Sequence, residues 1–222
     1  YMRTSRWYRE KSEKVRKVEI ADNLPMGTAE DRTWMLFVKI DFTGRASQVY
    51  LLPLSLALKE EGERIREEAP GGIVASARTR DTEGVIYEGT YNETFRSELL
   101  KIFLSRKKYK GKAGEILPYR GKQLKSMARE LEGTGPSRVL KVEQSNTSIL
   151  YKDVFFFKLY RKLETGINPD VEMLRFLTEK KKFSQVPTFA GNADYKSPVF
   201  GPASLGMLVS FEANQGDAWE YT

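Results

Sequence analysis

A single segment of the chain, residues 141–176, constrains the fold more than any other stretch. Its sequence is KVEQSNTSILYKDVFFFKLYRKLETGINPDVEMLRF. The alternation of apolar and polar residues predicts three strands joined by short turns, and the third strand, VFFFKLY, carries Lys158. A glycine-containing loop follows, and then a helix with Asn168 as its N-cap and Pro169 in its first turn. This order predicts an antiparallel sheet that is followed directly by a helix.

Lys158 is the first candidate functional residue, because its predicted strand is too apolar for an ordinary protein surface. The side-chain period of two residues places Lys158 on the same face as Phe156 and Tyr160. A lysine in such surroundings needs an anionic partner. The alternative is an edge strand from which the ammonium group reaches water.

A tight polar turn between the first two predicted strands is the second candidate element. Small polar side chains tolerate tight turns, and they offer hydroxyl and amide groups beside exposed backbone N–H groups that can coordinate phosphate oxygens. An ordinary hairpin turn is the alternative interpretation. The residues of this turn are Gln144, Ser145, Asn146, Thr147 and Ser148.

The predicted helix supplies a third candidate, Glu172. It stands one position away from an apolar stripe formed by Val171, Leu174 and Leu177. A glutamate in the first turn of a helix also complements the helix dipole, so its position alone does not establish a functional role.

The composition excludes several kinds of catalysis, because the 222 residues contain no histidine and no cysteine. Ser-His-Asp and Cys-His nucleophiles, zinc sites with histidine or thiolate ligands, and disulfides are all excluded. Phosphoryl transfer remains, since it depends mainly on carboxylate, lysine, hydroxyl and backbone groups. The chain has neither a bilayer-spanning apolar run nor a signal-peptide pattern, so we expect a cytoplasmic protein that does not bind membranes.

The first hundred residues predict an antiparallel meander and a terminal helix. Pro53 suggests that the third strand is an edge strand or ends at the proline. Residues 90–105 have helical spacing of apolar side chains, with Asn92 or Thr94 as the cap, whereas the helical pattern over 55–68 is interrupted by a glycine. The expected strands cover residues 14–22, 33–42, 48–54, 72–78 and 83–88.

Positive charge is concentrated in residues 101–130, which contain ten lysines or arginines and two glutamates. The glycines within residues 106–122 predict a loop. In nucleic-acid binding, the lysines of RKKYKGK (106–112) would contact phosphates while Tyr109 stacks on a base. The alternative is a solvated basic loop. Because no known nucleic-acid-binding motif accompanies it, we expect no nucleic-acid partner.

Several sequence blocks resemble the bacterial maltokinase family, including the maltokinase-like domain fused to some trehalose synthases. Trp7-Tyr8 stands where the family usually has a tryptophan followed by phenylalanine, although the REKSEK that follows replaces a glycine-rich stretch. The matching blocks are YLLPL (50–54), EQSNTSILY (143–151), FKLYRKLETGINPDVE (157–172) and NQGDAWEYT (214–222).

The resemblance implies an α+β fold. An antiparallel-sheet cap domain would precede a protein-kinase-like N-terminal lobe of the aminoglycoside-phosphotransferase type. We expect the cap domain at residues 1–105, a basic connecting segment at 106–135, and the small nucleotide-binding lobe at 136–222. The C-terminal lobe is expected to be absent. Because that lobe holds the catalytic aspartate and the metal ligands, the resemblance assigns no catalytic or metal-binding residue to this chain.

The family transfers the γ-phosphoryl group of ATP to the anomeric hydroxyl of maltose. By resemblance, the polar turn would cover the ATP phosphates, Lys158 would hold the α- and β-phosphates, and Glu172 would orient Lys158. Mg²⁺ would accompany ATP, with its ligands in the C-terminal lobe, which would also bind maltose. The residues implied to contact adenine are Phe211, Glu212, Ala213 and Asn214, with Asp217 just beyond them.

Two further expectations concern the chain as a unit. The isolated chain should show no maltose-dependent ATP turnover, because the catalytic residues of the family lie in the other lobe. The alternative function is a non-catalytic interaction module that docks a trehalose synthase domain or another pathway enzyme. Trp7, Tyr8 and Trp34 are its candidate contacts, and core packing is the alternative role of these aromatic residues.

Overall fold

The structure, a computed structural model, describes residues 1–105, 107–131, 136–140, 145–198 and 201–213. In the N-terminal part of these ranges, antiparallel strands form a sheet with the order β1-β2-β3-β5-β4. Its strands are β1 (Val15–Gly27), β2 (Arg32–Phe42), β3 (Gln48–Leu58), β4 (Ile73–Arg78) and β5 (Glu83–Glu88). Two helices accompany this first sheet, α1 (Lys59–Glu68) and α2 (Glu93–Leu104). The predicted meander of the first three strands is confirmed.

The second sheet is also antiparallel and has the order β6-β7-β12-β13-β10-β9-β8. Its strands are β6 (Tyr109–Lys110), β7 (Glu115–Arg120), β8 (Ser137–Leu140), β9 (Asn146–Tyr151), β10 (Phe155–Tyr160), β12 (Phe189–Ser197) and β13 (Gly201–Ser210). The short strand β11 (Lys162–Leu163) instead pairs with β3 of the first sheet. Helix α3 (Leu124–Met127) precedes β8, and helix α4 (Pro169–Arg175) continues into a π-helical turn, Phe176–Lys180.

The cap and the buried face of helix α2 explain why the sequence predicted this helix correctly. Asn92 is its N-cap, and the side-chain oxygen of Asn92 accepts a hydrogen bond from the backbone N–H of Phe95 at 2.8 Å. The apolar face of the helix is buried, as its spacing predicts. The buried apolar residues of α2 are Phe95, Leu99, Leu100, Ile102 and Phe103.

The prediction that β3 is an edge strand or ends at Pro53 is wrong, because β3 continues to Leu58 and lies between β2 and β5. The backbone N–H of Leu51 bonds to the carbonyl of Arg161 at 2.7 Å, and pairing with β5 begins at Leu54. Because N–H directions alternate along a strand, the Pro53 nitrogen faces the gap between these two partners. The missing donor therefore costs no ladder hydrogen bond.

The prediction of a loop over residues 106–122 is also wrong. Strand β7 lies within this segment and pairs with β12, from Glu115 opposite Lys196 to Arg120 opposite Gly191. Strand β6 pairs with β7 in turn. Arg106 lies outside the described residues, as do residues 133–135 of the domain boundary that the sequence predicts at 133–138. The basic segment therefore contributes strands to the second sheet.

The two sheets share one hydrophobic core. Met35, Phe37 and Leu51 of the first sheet are buried in the same cluster as Phe157 and Leu208 of the second. Side chains of α2 belong to that cluster as well. The core therefore joins the predicted cap to the strands that follow it.

Candidate nucleotide site

Lys158 lies on an interior strand of the second sheet. Strand β10 pairs with β9 on one side and with β13 on the other, so the edge-strand alternative is excluded. Lys158 stands opposite Ser148 on β9 and opposite Met207 on β13. Residues directly opposite each other in a sheet share one face, so Lys158 and Ser148 face the same side.

The carboxylate that binds Lys158 is Asp170, in the first turn of α4. The Lys158 Nζ donates a hydrogen bond to Asp170 Oδ2 at 2.9 Å. The Lys158 side chain is 23% exposed and that of Asp170 is 52% exposed. An ion pair of this exposure contributes little to stability, about 0–1 kcal/mol, so the partner of the ammonium can be exchanged at low cost.

The predicted pairing of Lys158 with Glu172 is not the one in this structure. Successive residues of an α-helix are rotated by about 100°, so Glu172 is turned about 200° away from Asp170. Asn168 caps the helix by accepting a hydrogen bond from the Asp170 N–H at 2.9 Å, and Pro169 occupies the first turn, both as predicted. Asp170 was missed because a first-turn aspartate is equally typical of a helix N-terminus.

Most of the residues predicted to form the phosphate-covering turn belong to a strand instead. Gln144 lies outside the described residues, and Ser145 is in a bend immediately before β9. Asn146, Thr147 and Ser148 belong to β9 and pair with β10, so they are strand residues and not turn residues. The assignment of this stretch to ATP phosphates stays a prediction.

Ser148 has a feature that the sequence could not reveal. Its side chain is buried, and its Oγ has no hydrogen-bond partner within the described part of the chain. Buried hydroxyl groups without a partner are uncommon in proteins. Since Ser148 shares a face with Lys158, the structure brings together an ammonium group and an unpartnered hydroxyl. These groups fit an anionic, oxygen-rich ligand such as a phosphate group.

The residues predicted to contact adenine directly follow β13. The Phe211 backbone N–H bonds to the Val154 carbonyl at 2.9 Å, which holds the chain beside the start of β10. Glu212 Oε1 accepts a hydrogen bond from Ser210 Oγ at 2.6 Å, and Ala213 is exposed. Phe211 lies four residues beyond Met207, the partner of Lys158, which is roughly 13 Å along the strand.

This separation is compatible with one extended nucleoside triphosphate, whose base and phosphates occupy opposite ends. Asn214 and Asp217, the other two residues predicted near adenine, lie outside the described residues. In the residues that the structure does describe, no group of three or more acidic side chains could hold a metal ion.

The basic segment does not present the surface that nucleic-acid stacking requires. Tyr109 is buried, and its hydroxyl bonds to the Glu98 carboxylate at 3.0 Å. Lys107 and Lys101 also bond to Glu98, at 2.6 and 3.1 Å. Burial alone would raise the pKa of Glu98, but these three hydrogen bonds outweigh it and lower the pKa. Tyr109 is therefore a core residue, and its burial argues against the base-stacking alternative.

The three aromatic residues of the interaction-module hypothesis differ in how deeply they are buried. Trp7 and Tyr8 are buried against the outer face of the first sheet, where they pack on Tyr50. Trp34 lies further along that face and is 42% exposed, near Leu56, which is 54% exposed. Core packing is therefore the role of the first two residues, and an apolar surface remains at Trp34.

Trp34 and Leu56 line a groove of about 1250 Å³, bordered by α1 and by the residues before β2. The groove has a surplus of negative charge, although the whole chain carries +7. Its exposed or half-exposed charged residues are Glu30, Asp31, Glu61, Glu68 and Glu93, against Arg32 and Arg64.

The described part of the chain contains no helix that is long and apolar enough to cross a membrane. Its first five strands form an antiparallel sheet that is accompanied by helices α1 and α2, an arrangement of the α+β class. Residues 1–91 match the family model for the maltokinase N-terminal cap domain. The match spans β1 to β5 and ends just before Asn92, the cap of α2. It supports a maltokinase-family N-terminal portion, as the sequence resemblance predicts.

Proposed function

We propose that the chain contributes the cap and the ATP-phosphate-binding elements of an ATP-dependent maltose 1-phosphotransferase. The maltokinase cap match supports the family assignment for residues 1–91. The kinase-like lobe, the use of ATP with Mg²⁺ and the acceptor maltose are parts of the proposal. A magnesium-bound triphosphate would supply the phosphoryl group. This chain would supply only its binding groups.

The observation that carries the proposal is the placement of Lys158. An interior strand presents its ammonium group to a carboxylate on the next helix, at 2.9 Å, and beside the buried hydroxyl of Ser148. A lysine on the third strand of a kinase lobe binds phosphates and is paired with a helix carboxylate. In this proposal Asp170 has the pairing role that the resemblance gives to Glu172.

Nucleotide binding by a matched pair of lysine variants tests the proposal. Lys158→Ala removes the cation that would hold the phosphates, and we expect the Kd for ATP to rise about 10- to 100-fold, as for loss of one charge-assisted hydrogen bond. Lys196→Ala removes an exposed lysine from β12 of the same sheet and should leave the Kd unchanged. Isothermal titration calorimetry measures both. Equal affinities in the two variants would exclude a phosphate-binding role for Lys158.

A second candidate function is protein interaction through the groove at Trp34. The observation that favours it is an exposed tryptophan and leucine on the floor of a groove with an acidic rim. Charge complementarity indicates a basic amphipathic segment as the occupant, with its apolar face on Trp34 and its lysines or arginines toward the rim. A trehalose synthase domain is one candidate source of such a segment.

The groove hypothesis is tested with a basic amphipathic peptide and a matched pair of surface variants. Trp34→Ala removes the exposed ring, whereas Leu117→Ala removes an apolar side chain of similar exposure, 43%, on β7. We expect micromolar binding that weakens about tenfold in Trp34→Ala only and that decreases with added salt. Salt-independent binding, or equal loss in both variants, would contradict the assigned occupant.

A further inference from the structure

Arg161 connects the strand of Lys158 to the first sheet. It directly follows β10, and its carbonyl oxygen accepts a hydrogen bond from the Leu51 N–H of β3 at 2.7 Å. The next two residues form β11, which pairs with β3. Arg161 is also fully buried, at 1% exposure, which is rare for an arginine and requires that its charge be paired.

The guanidinium of Arg161 contacts partners from several parts of the fold. Its Nη2 lies 2.9 Å from Glu88 Oε1, a carboxylate that is also buried. Its Nε donates to Thr147 Oγ1 at 2.7 Å, and its Nη1 donates to the Leu51 carbonyl at 3.3 Å. The ring of Trp7 lies against it, with 5.0 Å from Cζ to the ring centroid. A planar guanidinium satisfies such a set of contacts better than an ammonium group can.

Glu88 extends the network to the start of the chain. Its Oε2 accepts a hydrogen bond from the Tyr1 hydroxyl at 3.2 Å, and its Oε1 accepts one from Thr90 at 3.4 Å. Burial raises the pKa of Tyr1, and the Glu88 carboxylate raises it further, so the phenol stays a neutral donor. The N-terminal residues, the end of β5 and the start of β9 thus meet at one ion pair.

Thr147 links this hydrogen-bond network to the candidate site. It is the residue before Ser148, and it stands opposite Leu159, next to Lys158. Neighbouring strand residues face opposite sides of a sheet, so fixing Thr147 from the cap side fixes the direction of Ser148 toward the other side. Among the described side chains, only that of Arg161 donates a hydrogen bond to Thr147 Oγ1.

We propose that Arg161 is a positioning residue, which transmits the placement of the cap through Thr147 to the phosphate-binding face of β9 and β10. This inference rests on the proposed function, because it assigns the controlled surface to ATP phosphates. The cap then acts on nucleotide binding without touching the nucleotide. The same contacts explain why the buried ion pair lies at the junction of the two sheets and not within either one.

Two substitutions of Thr147 test the route while leaving the Arg161–Glu88 pair intact. Thr147→Val keeps the shape of the side chain and removes the oxygen that accepts the Arg161 bond. Thr147→Ser keeps the oxygen and serves as the matched control. We expect Thr147→Val to raise the Kd for ATP about threefold to tenfold, with Thr147→Ser close to the wild type. Adenosine binding, followed by saturation-transfer NMR, should be equal in all three proteins because adenosine has no phosphates.

Hydrogen–deuterium exchange gives a second measurement that does not depend on ATP. Amides in residues 145–151 should exchange faster in Thr147→Val than in Thr147→Ser, and amides of α2 should be unchanged. If wild-type protein binds neither ATP nor adenosine, the proposed function fails, and exchange alone then decides whether the coupling exists. Unchanged exchange in residues 145–151 would overturn the coupling, as would equal losses of ATP and adenosine binding in Thr147→Val.

Discussion

Two ion pairs lie at the same end of β10 and differ in their burial and in the number of their hydrogen-bond partners. Arg161 and Glu88 are both about 2% exposed, and the guanidinium also bonds to Thr147 and Leu51. Lys158 makes one bond to Asp170, which is half exposed. The difference indicates separate tasks. A buried pair with several further partners holds parts of the fold in place, whereas a single, partly exposed pair can exchange its carboxylate for a ligand.

The largest expected effect comes from breaking the buried pair. Glu88→Gln leaves the Arg161 charge buried without a carboxylate, and we expect the free energy of unfolding to fall by about 3–5 kcal/mol. Urea denaturation followed by circular dichroism measures this change. Glu98→Gln is the matched control, since Glu98 is also buried but its lysine partners are half exposed and can return to water. Equal losses of stability in the two variants would contradict the special role assigned to the fully buried pair.

A smaller effect should follow from changing the shape of the cation while keeping its charge. Arg161→Lys retains attraction to Glu88 but loses the planar fork that reaches Thr147 and Leu51, so we expect a loss of about 2 kcal/mol. A double-mutant cycle measures how much of this loss comes from the bond to Thr147. In the Arg161→Lys background, Thr147→Val should cost less than it does in the wild type. Additive losses would show that the Thr147 bond is not coupled to Arg161.

The Glu98 cluster is intermediate between the two pairs and should be visible in the pH dependence of stability. Bonds from lysines and Tyr109 lower the pKa of Glu98 in the folded protein. Its contribution is therefore present above the pKa of the unfolded chain and is lost as the pH falls through the folded pKa. Stability curves between pH 6 and roughly pH 3 should decline less steeply for Glu98→Gln than for the wild type. Identical acid slopes would argue against this assignment.

Local patterns in the sequence predicted helices α2 and α4 and several strands well, whereas the helix expected over 55–68 begins only at Lys59 and α3 was not predicted. Asn92 and Asn168 are caps whose partners lie within three residues, so the sequence contains the whole signal. Strand β7 was missed because its pairing partner is β12, far along the chain, and because the residues on both sides of it, KGKAG (110–114) and GK (121–122), are rich in glycine and lysine. Pro53 was misjudged because the gap between β11 and β5 is a tertiary feature.

The candidate site likewise contains residues that the sequence could predict and residues that it could not. Lys158 was selected because a lysine within an apolar strand is unusual, and a single short segment of the sequence contains that whole pattern. The carboxylate partner was assigned to the wrong helical position because the sequence gives the order of residues but not the rotation of the helix against the sheet. Arg161 and Glu88 belong to no local pattern, since each is an ordinary charged residue at a strand end until the fold brings them together.

The smallest expected effect on stability, and the sharpest contrast with Glu88, is that of Lys158→Met. The ammonium has one carboxylate partner and partial access to water, so the free energy of unfolding should change by about 1 kcal/mol or less. Urea denaturation of the same preparation used for ATP titration measures it. A stable variant with weak ATP binding would place Lys158 in a ligand site. A loss comparable to that of Glu88→Gln would instead make Lys158 a structural residue, because only a group essential to the fold destabilises it so strongly.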